Sequence, residues 1–221
     1  MINVESNKYK FISLLRQVER ENADIEGLIY KLEHSDFFTA PCSTAYHLNV
    51  RGGLCQHSLN VYEELRRLVD MHYPDGDKFS EDSIILVSLL HDFSKMNYYE
   101  EYAKNVKVYC DNGSKKDDLG KFEWKTEIAY KRKDEKERFV YGHHGQNSEY
   151  MTSTFIPLAL EESVAIINHM GGDDEYKPFD MTPIFNKYPL AGLLHAADFL
   201  ATFVIEAQNI SITGDAVEDD E

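Results

Sequence analysis

The sequence contains little cysteine, and no two of its cysteines are closely spaced. Cys42, Cys55 and Cys110 are the three cysteines in 221 residues, and no CxxC spacing occurs. An odd, scattered set is typical of a reducing compartment and argues against a disulfide scaffold. The first residues, MINVESNKYKF, also lack the apolar core of a secretory signal. We therefore expect a cytoplasmic protein.

Long apolar runs and excess basic charge are missing too. No segment approaches the roughly 18 to 20 consecutive apolar residues of a membrane span, so we expect no membrane association. The 23 Lys and Arg residues are outnumbered by 39 Asp and Glu residues, which gives a formal net charge of −16. A long nucleic-acid groove is disfavoured, because phosphate neutralisation needs clustered basic side chains. A small anionic substrate held by a metal ion and a few local cations remains compatible with this balance.

The length and hydrophobic periodicity predict one mainly helical domain over residues 1–208. Apolar residues at three- and four-residue steps predict two amphipathic helices within 7–34, and further helices over 54–72, 81–91, 145–155, 159–170 and 188–208. Residues 105–142 instead contain partly alternating stretches broken by Asp-Asn-Gly and Leu-Gly, which predicts a β-hairpin or a three-stranded excursion. The acidic tail, 209–221, is expected to be disordered. The predicted fold class is therefore all-α with a small β excursion.

One helical segment, LVSLLHDFSKMN, places His91 and Asp92 at the end of an apolar run, with Lys95 three residues later. A buried carboxylate without a partner is costly, so it acquires a proton or binds a cation. A metal ion would hold the imidazole and the carboxylate together. A His-Asp dipeptide alone is a weak signal, since most such pairs are structural.

Four other stretches place metal-ligand residue types where helical periodicity expects apolar side chains. His57 shares an apolar stripe in GGLCQHSLNVYEEL, His169 ends the apolar segment ESVAIINHMGG, Asp198 lies in PLAGLLHAADFLATFVIEA, and the pair His143-His144 stands in GHHGQNS. Each one separately has an ordinary explanation as a core or surface residue. Taken together, burying them without partners would cost a few kcal/mol each, and a shared metal ion removes that cost.

The order of these residues resembles the HD-domain superfamily of metal-dependent phosphohydrolases. The resemblance covers residues 40–206, and the segments GGLCQHSLNVYEEL, LLHDFSK and AADFLAT are similar to the first-His, His-Asp and closing-Asp helices of that superfamily. GHHGQNS and AIINHMGG are similar to the additional histidines of its two-metal branch. TAPCSTAYHLNVRGGLCQHSL resembles the HD module of a 3′-5′ exoribonuclease family. This chain has two histidines where that group often has one.

The resemblance implies two divalent ions that share Asp92 as a bridging ligand and together activate a water for attack on phosphorus. His57, His91 and Asp198 would complete one ion site, and His144 and His169 the other. The spacing to Gly145 and Ser148 favours His144 over His143 as the ligand. A set this rich in imidazole suits Mn, Fe, Co, Ni or Zn better than Mg, which prefers oxygen ligands.

Several further residues are candidates for the chemistry and for substrate contact. Asp92 and Lys95 are the predicted catalytic residues, and Lys95 would neutralise an oxygen of the phosphate or of the leaving group. The alternative for Lys95 is a solvated lysine at a helix end. His47, Arg51 and His143 are the remaining candidate phosphate contacts.

The resulting functional hypothesis is a metal-dependent phosphohydrolase or phosphodiesterase acting on a nucleotide or a short oligonucleotide. A 3′-5′ exonuclease is the alternative among enzymes, weakened by the acidic net charge. The non-enzymatic alternatives are a nucleotide- or metal-binding regulatory module and a protein that uses metal only for structural support. Oligomeric state stays open.

Overall fold

The computed structural model describes residues 2–44, 46–76, 78–171 and 180–207. In these residues the chain is mostly helical and carries one small antiparallel sheet, in agreement with the expected helical body and β excursion. The elements are α1 (Val4–Leu15), α2 (Ile25–Glu33), α3 (Gly53–His72), α4 (Glu81–Leu90), β1 (Tyr99–Tyr109), β2 (Lys115–Asp117), β3 (Gly120–Arg132), α5 (His144–Ser153), α6 (Leu160–Ile167), α7 (Thr182–Lys187) and α8 (Pro189–Leu200). A π-helical turn, Ala201–Ile205, continues α8.

Several helix starts follow from local capping. The side chain of Ser80 accepts a hydrogen bond from the backbone N–H of Ser83, and Asn3 and Asp24 cap α1 and α2 in the same way. Such caps satisfy backbone donors that the first helical turn leaves without partners. The predicted start of α4 after Ser80 is confirmed.

The two N-terminal helices are confirmed, but the first begins earlier than predicted. The apolar pattern predicted both helices within 7–34, whereas α1 spans Val4–Leu15 and irregular chain follows it. Within that irregular chain Asn22 has φ of 60°, a left-handed conformation that interrupts a right-handed helix. The left-handed residue therefore lies in the turn between α1 and α2.

The sheet begins and ends earlier than the predicted range of 105–142. Its strand order is β1-β3-β2, and the register pairs Tyr99 with Arg132 at one end and Tyr109 with Phe122 at the other. Residues 133–143 carry no strand and contain a short 3-10 turn, Glu135–Glu137. The ladder extends back to Tyr99 because its partner strand continues to Arg132, a long-range pairing that local alternation does not show.

The hydrophobic core consists of two neighbouring clusters, and α3 and α4 contribute to both. One cluster packs these helices against α1 and α2, and the other packs them against α6 and α8. Helix α4 is buried from Ile84 to Leu90, so it presents no exposed face over its last two turns. The residues that follow it, His91 and Asp92, consequently lie inside the protein.

Other predictions have mixed outcomes. The six-residue helix α7 was not predicted, and the expected disorder of 209–221 concerns residues outside the described part of the chain. All three cysteines are free thiols. None of the described helices is both long and apolar enough to cross a membrane.

Candidate metal centre

The six predicted metal ligands come from five helical regions and meet in one cluster. His57 lies in α3, His91 follows α4, Asp92 precedes a 3-10 turn (Phe93–Lys95), His144 opens α5, His169 follows α6, and Asp198 lies in α8. Four of these side chains, those of His57, His91, Asp92 and His169, are at most 2% exposed. Those of His144 and Asp198 are 29% and 13% exposed, which gives the cluster a side open to solvent.

Asp92 lies at the centre of the cluster, and its two carboxylate oxygens face different histidines. Oδ2 is 3.7 Å from Nε2 of His57 and 3.5 Å from Nε2 of His91. Oδ1 is 3.6 Å from Nε2 of both His144 and His169. We call these two halves the Oδ2 side and the Oδ1 side. Oδ1 of Asp198 lies 3.2 Å from Nε2 of His57 on the Oδ2 side, and a carboxylate oxygen of Asp198 is also within 4.8 Å of ring nitrogens of His91 and His169.

The separations between donor atoms fit ligands around a cation. Two ligand atoms about 2.1 Å from one ion lie about 3.0 Å apart at a right angle and about 3.4 Å apart at a tetrahedral angle. The Nε2 atoms of His57 and His91 are 3.2 Å apart, and those of His144 and His169 are 3.0 Å apart. These buried His and Asp groups can therefore hold a metal ion.

Backbone contacts fix which nitrogen of two histidines points into the cluster. Nδ1 of His91 lies 2.8 Å from the carbonyl oxygen of Ser88, and Nδ1 of His169 lies 2.7 Å from that of Ile166. A neutral imidazole that donates from Nδ1 leaves a lone pair on Nε2. Two such lone pairs face the same carboxylate, an arrangement that a cation stabilises.

The electrostatics keep three of the predicted ligands, His91, His144 and Asp92, in the protonation states that metal binding needs. Burial lowers the pKa of His91 to about 4 and that of His144 to about 3, with the neighbouring His169 adding to both shifts, so both rings are neutral at neutral pH. Burial raises the pKa of Asp92, but the charge of Lys95 and the contacts with the surrounding histidines outweigh it and hold the pKa well below its usual range. Among the described residues Oδ1 of Asp92 has no hydrogen-bond partner, although it is fully buried. Burying an ionised oxygen without a partner is costly, and a bound cation would remove that cost.

Lys95 is held inside the cluster. Its Nζ lies 2.7 Å from Oδ2 of Asp92, and its side chain is 18% exposed. Burial lowers the pKa of Lys95, but the charge of Asp92 has the opposite and larger effect, so the pKa lies well above its usual value. Lys95 is therefore a partly buried cation that is paired with the central carboxylate.

The other candidate contacts occupy different surroundings. His47 is buried: its Nδ1 is 2.6 Å from Oε2 of Glu206, and its Nε2 is 3.7 Å from Sγ of Cys42. Arg51, in the turn before α3, and His143, beside His144, are both exposed. The structure thus brings the six predicted ligands and Lys95 together, places His47 behind them, and leaves Arg51 and His143 on the surface.

Glu206 is a residue of the site that the sequence did not reveal. Its carboxylate is 1% exposed and contacts Nδ1 of His57 at 3.0 Å as well as His47. Burial raises the pKa of Glu206, but His57 and His47 outweigh this effect and lower it to about 2. The only sequence signal was a glutamate after the apolar run FLATFVI, which has the form of an ordinary helix end.

Comparisons with known proteins identified no similar protein. No protein-family model, curated protein or solved structure matches the chain.

Proposed function

We propose that this protein is a metal-dependent phosphohydrolase of the HD type that acts on a nucleotide or a short oligonucleotide. The observation that carries the proposal is the arrangement around Asp92. One buried carboxylate directs each of its oxygens toward a separate pair of imidazole nitrogens, at 3.5 to 3.7 Å. A shared carboxylate between two sets of ligands is typical of two-metal hydrolytic centres.

The residues present suit transition-metal ions. The Oδ2 side offers His57 and His91, the Oδ1 side offers His144 and His169, and Asp198 lies close to both sides, so each ion would have two imidazoles in addition to Asp92. This donor set favours Mn, Fe, Co, Ni or Zn over Mg. Bound there, divalent ions would supply positive charge to phosphate oxygens and lower the pKa of water toward neutrality.

The chain's own residues would bind and orient the phosphate. Lys95 carries a positive charge 2.7 Å from Asp92, and its side chain is partly exposed, so its ammonium group would be the cation nearest to a phosphate bound at the cluster. A cation on Oδ2 would compete with Lys95 for the same oxygen, which frees Lys95 to contact a phosphate oxygen or the leaving oxygen. Arg51 and His143 are exposed and are the proposed outer contacts.

The reaction class follows from these roles. A water oxygen forms a new bond to phosphorus, the bond from phosphorus to the leaving oxygen breaks, and the water proton ends on the leaving group or in solvent. The acidic chain, with a net charge of −16, suits a small anion held locally better than a long polyanion. We therefore favour nucleotides and short oligonucleotides as substrates.

A substrate screen tests the proposal directly. Purified protein is incubated with nucleoside mono- and triphosphates, cyclic dinucleotides, short oligonucleotides and bis-p-nitrophenyl phosphate, each with Mn, Fe, Co, Ni or Mg. Phosphate, pyrophosphate or nitrophenol is the readout, and Asp92→Asn is the control for contaminating phosphatases. Metal-dependent release by the wild type alone supports the proposal, and stepwise shortening of oligonucleotides would identify the exonuclease alternative. Bound metal with no turnover of any phosphoester would instead indicate a regulatory or structural metal protein.

A further inference from the structure

We infer that Glu206 is a positioning residue that holds His57 in the orientation its metal ion requires. The inference deepens the proposed function and rests on the assignment of His57 as a metal ligand. It concerns the Oδ2 side alone, because His57 lies on that side, whereas the histidines of the Oδ1 side lie at α5 and after α6.

His57 is held by carboxylates at both of its ring nitrogens. Nδ1 lies 3.0 and 3.2 Å from the two oxygens of Glu206, and Nε2 lies 3.2 Å from Oδ1 of Asp198. A carboxylate at Nδ1 accepts the proton there and leaves Nε2 as the atom directed at the ion. His91 and His169 have a backbone carbonyl in this position, so Glu206 supplies for His57 what the backbone supplies for the other two.

The backbone at the end of α8 is shaped to bring Glu206 to this position. In an uninterrupted α-helix, residues eight apart such as Asp198 and Glu206 lie about 12 Å apart along the axis and about 80° apart around it. Here the π-helical turn Ala201–Ile205 intervenes, and the N–H of Glu206 donates to the carbonyl oxygen of Ala201 at 2.9 Å. Turns of this kind are rare and occur often at functional sites. Both carboxylates thereby reach the same imidazole.

Glu206 is itself fixed by two further contacts. The side-chain amide of Asn60, three residues after His57 on α3, donates to Oε1 at 2.8 Å, and Nδ1 of His47 lies 2.6 Å from Oε2. A carboxylate with partners on each oxygen has little freedom to rotate. His47 therefore helps to hold Glu206 in place behind His57, with its two ring nitrogens facing Glu206 and Cys42.

The test compares zinc affinity in the full chain between Glu206→Gln and a matched control. Glu162 is also a 1% exposed carboxylate, but it pairs with Arg20 at 2.6 Å, outside the metal centre. Zinc dissociation constants are measured by competition with a fluorescent chelator, and urea unfolding without metal reports stability. Loss of the carboxylate behind a metal-bound histidine typically costs about 10- to 100-fold in metal affinity. We expect that loss for one zinc ion in Glu206→Gln, no change for the other ion, and unchanged zinc affinity in Glu162→Gln.

A second measurement on the wild type keeps the inference testable if Glu206→Gln does not fold. In the zinc-loaded protein, nitrogen-15 NMR of the histidine rings should show His57 protonated at Nδ1 and zinc-bound at Nε2. The opposite tautomer would overturn the inference, as would wild-type affinity in Glu206→Gln or an equal loss in both variants. A wild type that binds no metal at all would instead refute the proposed function itself, so the two failures are distinguishable.

Discussion

Replacing Asp92 with asparagine removes one negative charge from the centre of the cluster and almost nothing else. The amide keeps the shape of the carboxylate but offers one oxygen and one NH₂ donor in place of two anionic oxygens. One half of the centre would then face a donor instead of a ligand. A neutral amide is a poor bridge between two cations, whichever way it is oriented.

The magnitude follows from the contacts of the two oxygens. Losing the shared ligand should reduce hydrolysis at least about 100-fold, which corresponds to about 2.7 kcal/mol of transition-state stabilisation. In the metal-free protein Asp92 also pairs with Lys95 at 2.7 Å. Removing one partner of a buried ion pair costs about 3 to 5 kcal/mol. Because the Lys95 side chain is 18% exposed and can turn toward water, we expect a loss near the lower end of that range.

The assay measures activity, metal content and stability in the same preparation. Hydrolysis of the best substrate from the screen, elemental analysis, and urea unfolding in the presence of a chelator are compared for wild type, Asp92→Asn and Asp70→Asn. Asp70 is an exposed carboxylate paired with Arg66, so it controls for the loss of a charge. Near-normal activity and metal content in Asp92→Asn would show that the His-Asp pair is only a helix-end feature and that the enzyme proposal is wrong.

The remaining predictions concern the ligands around Asp92. His144→Ala should lose one metal ion and most activity, whereas His143→Ala should keep its metal; the reverse result in elemental analysis would show that the register of this loop is misassigned. Lys95→Ala should retain bound metal in the same measurement but turn over more slowly, and unchanged turnover would remove Lys95 from the mechanism. Burial lowers the pKa of His57, but nearby Cys42 and Glu206 and the hydrogen bond to Asp198 raise it well above its usual value. The metal ion must displace a proton from the His57 ring, so metal binding should release protons near neutral pH and should weaken as the pH falls. Calorimetry of metal binding in buffers of different ionisation enthalpy measures the number of protons released. A value of zero would contradict this prediction.

The main helices and the residues of the His-Asp cluster could be predicted from local sequence patterns. Helix α3 was expected over 54–72 and spans Gly53–His72, because apolar residues at three- and four-residue steps mark its buried stripe. His57 stood on that stripe, and His91 and Asp92 followed a segment apolar all round. Helical periodicity predicts which face of a helix is buried, so a polar residue on that face can be recognised from the sequence as a candidate ligand.

The sheet boundaries and helix α7 were less accessible. β1 begins at Tyr99 because β3 continues to Arg132 opposite it. The cross-strand contacts that stabilise this pairing join residues that are distant in sequence. α7 has only six residues, too few for a hydrophobic period to repeat. Local periodicity carries little information on either feature.

The sequence alone therefore determined which side chains are candidate ligands, since residue type and helical spacing are local properties. Tertiary structure decided how those side chains are held. The ion pair between Lys95 and Asp92 depends on the burial of Asp92 and on the partial burial of Lys95 beside it. The contact of Glu206 with His57 depends on the π-helical turn and on the packing of that turn against α3, and no hydrophobic period encodes either. Distances between elements arise from the long-range packing of the whole core, which is why the support behind His57 became visible only in the folded protein.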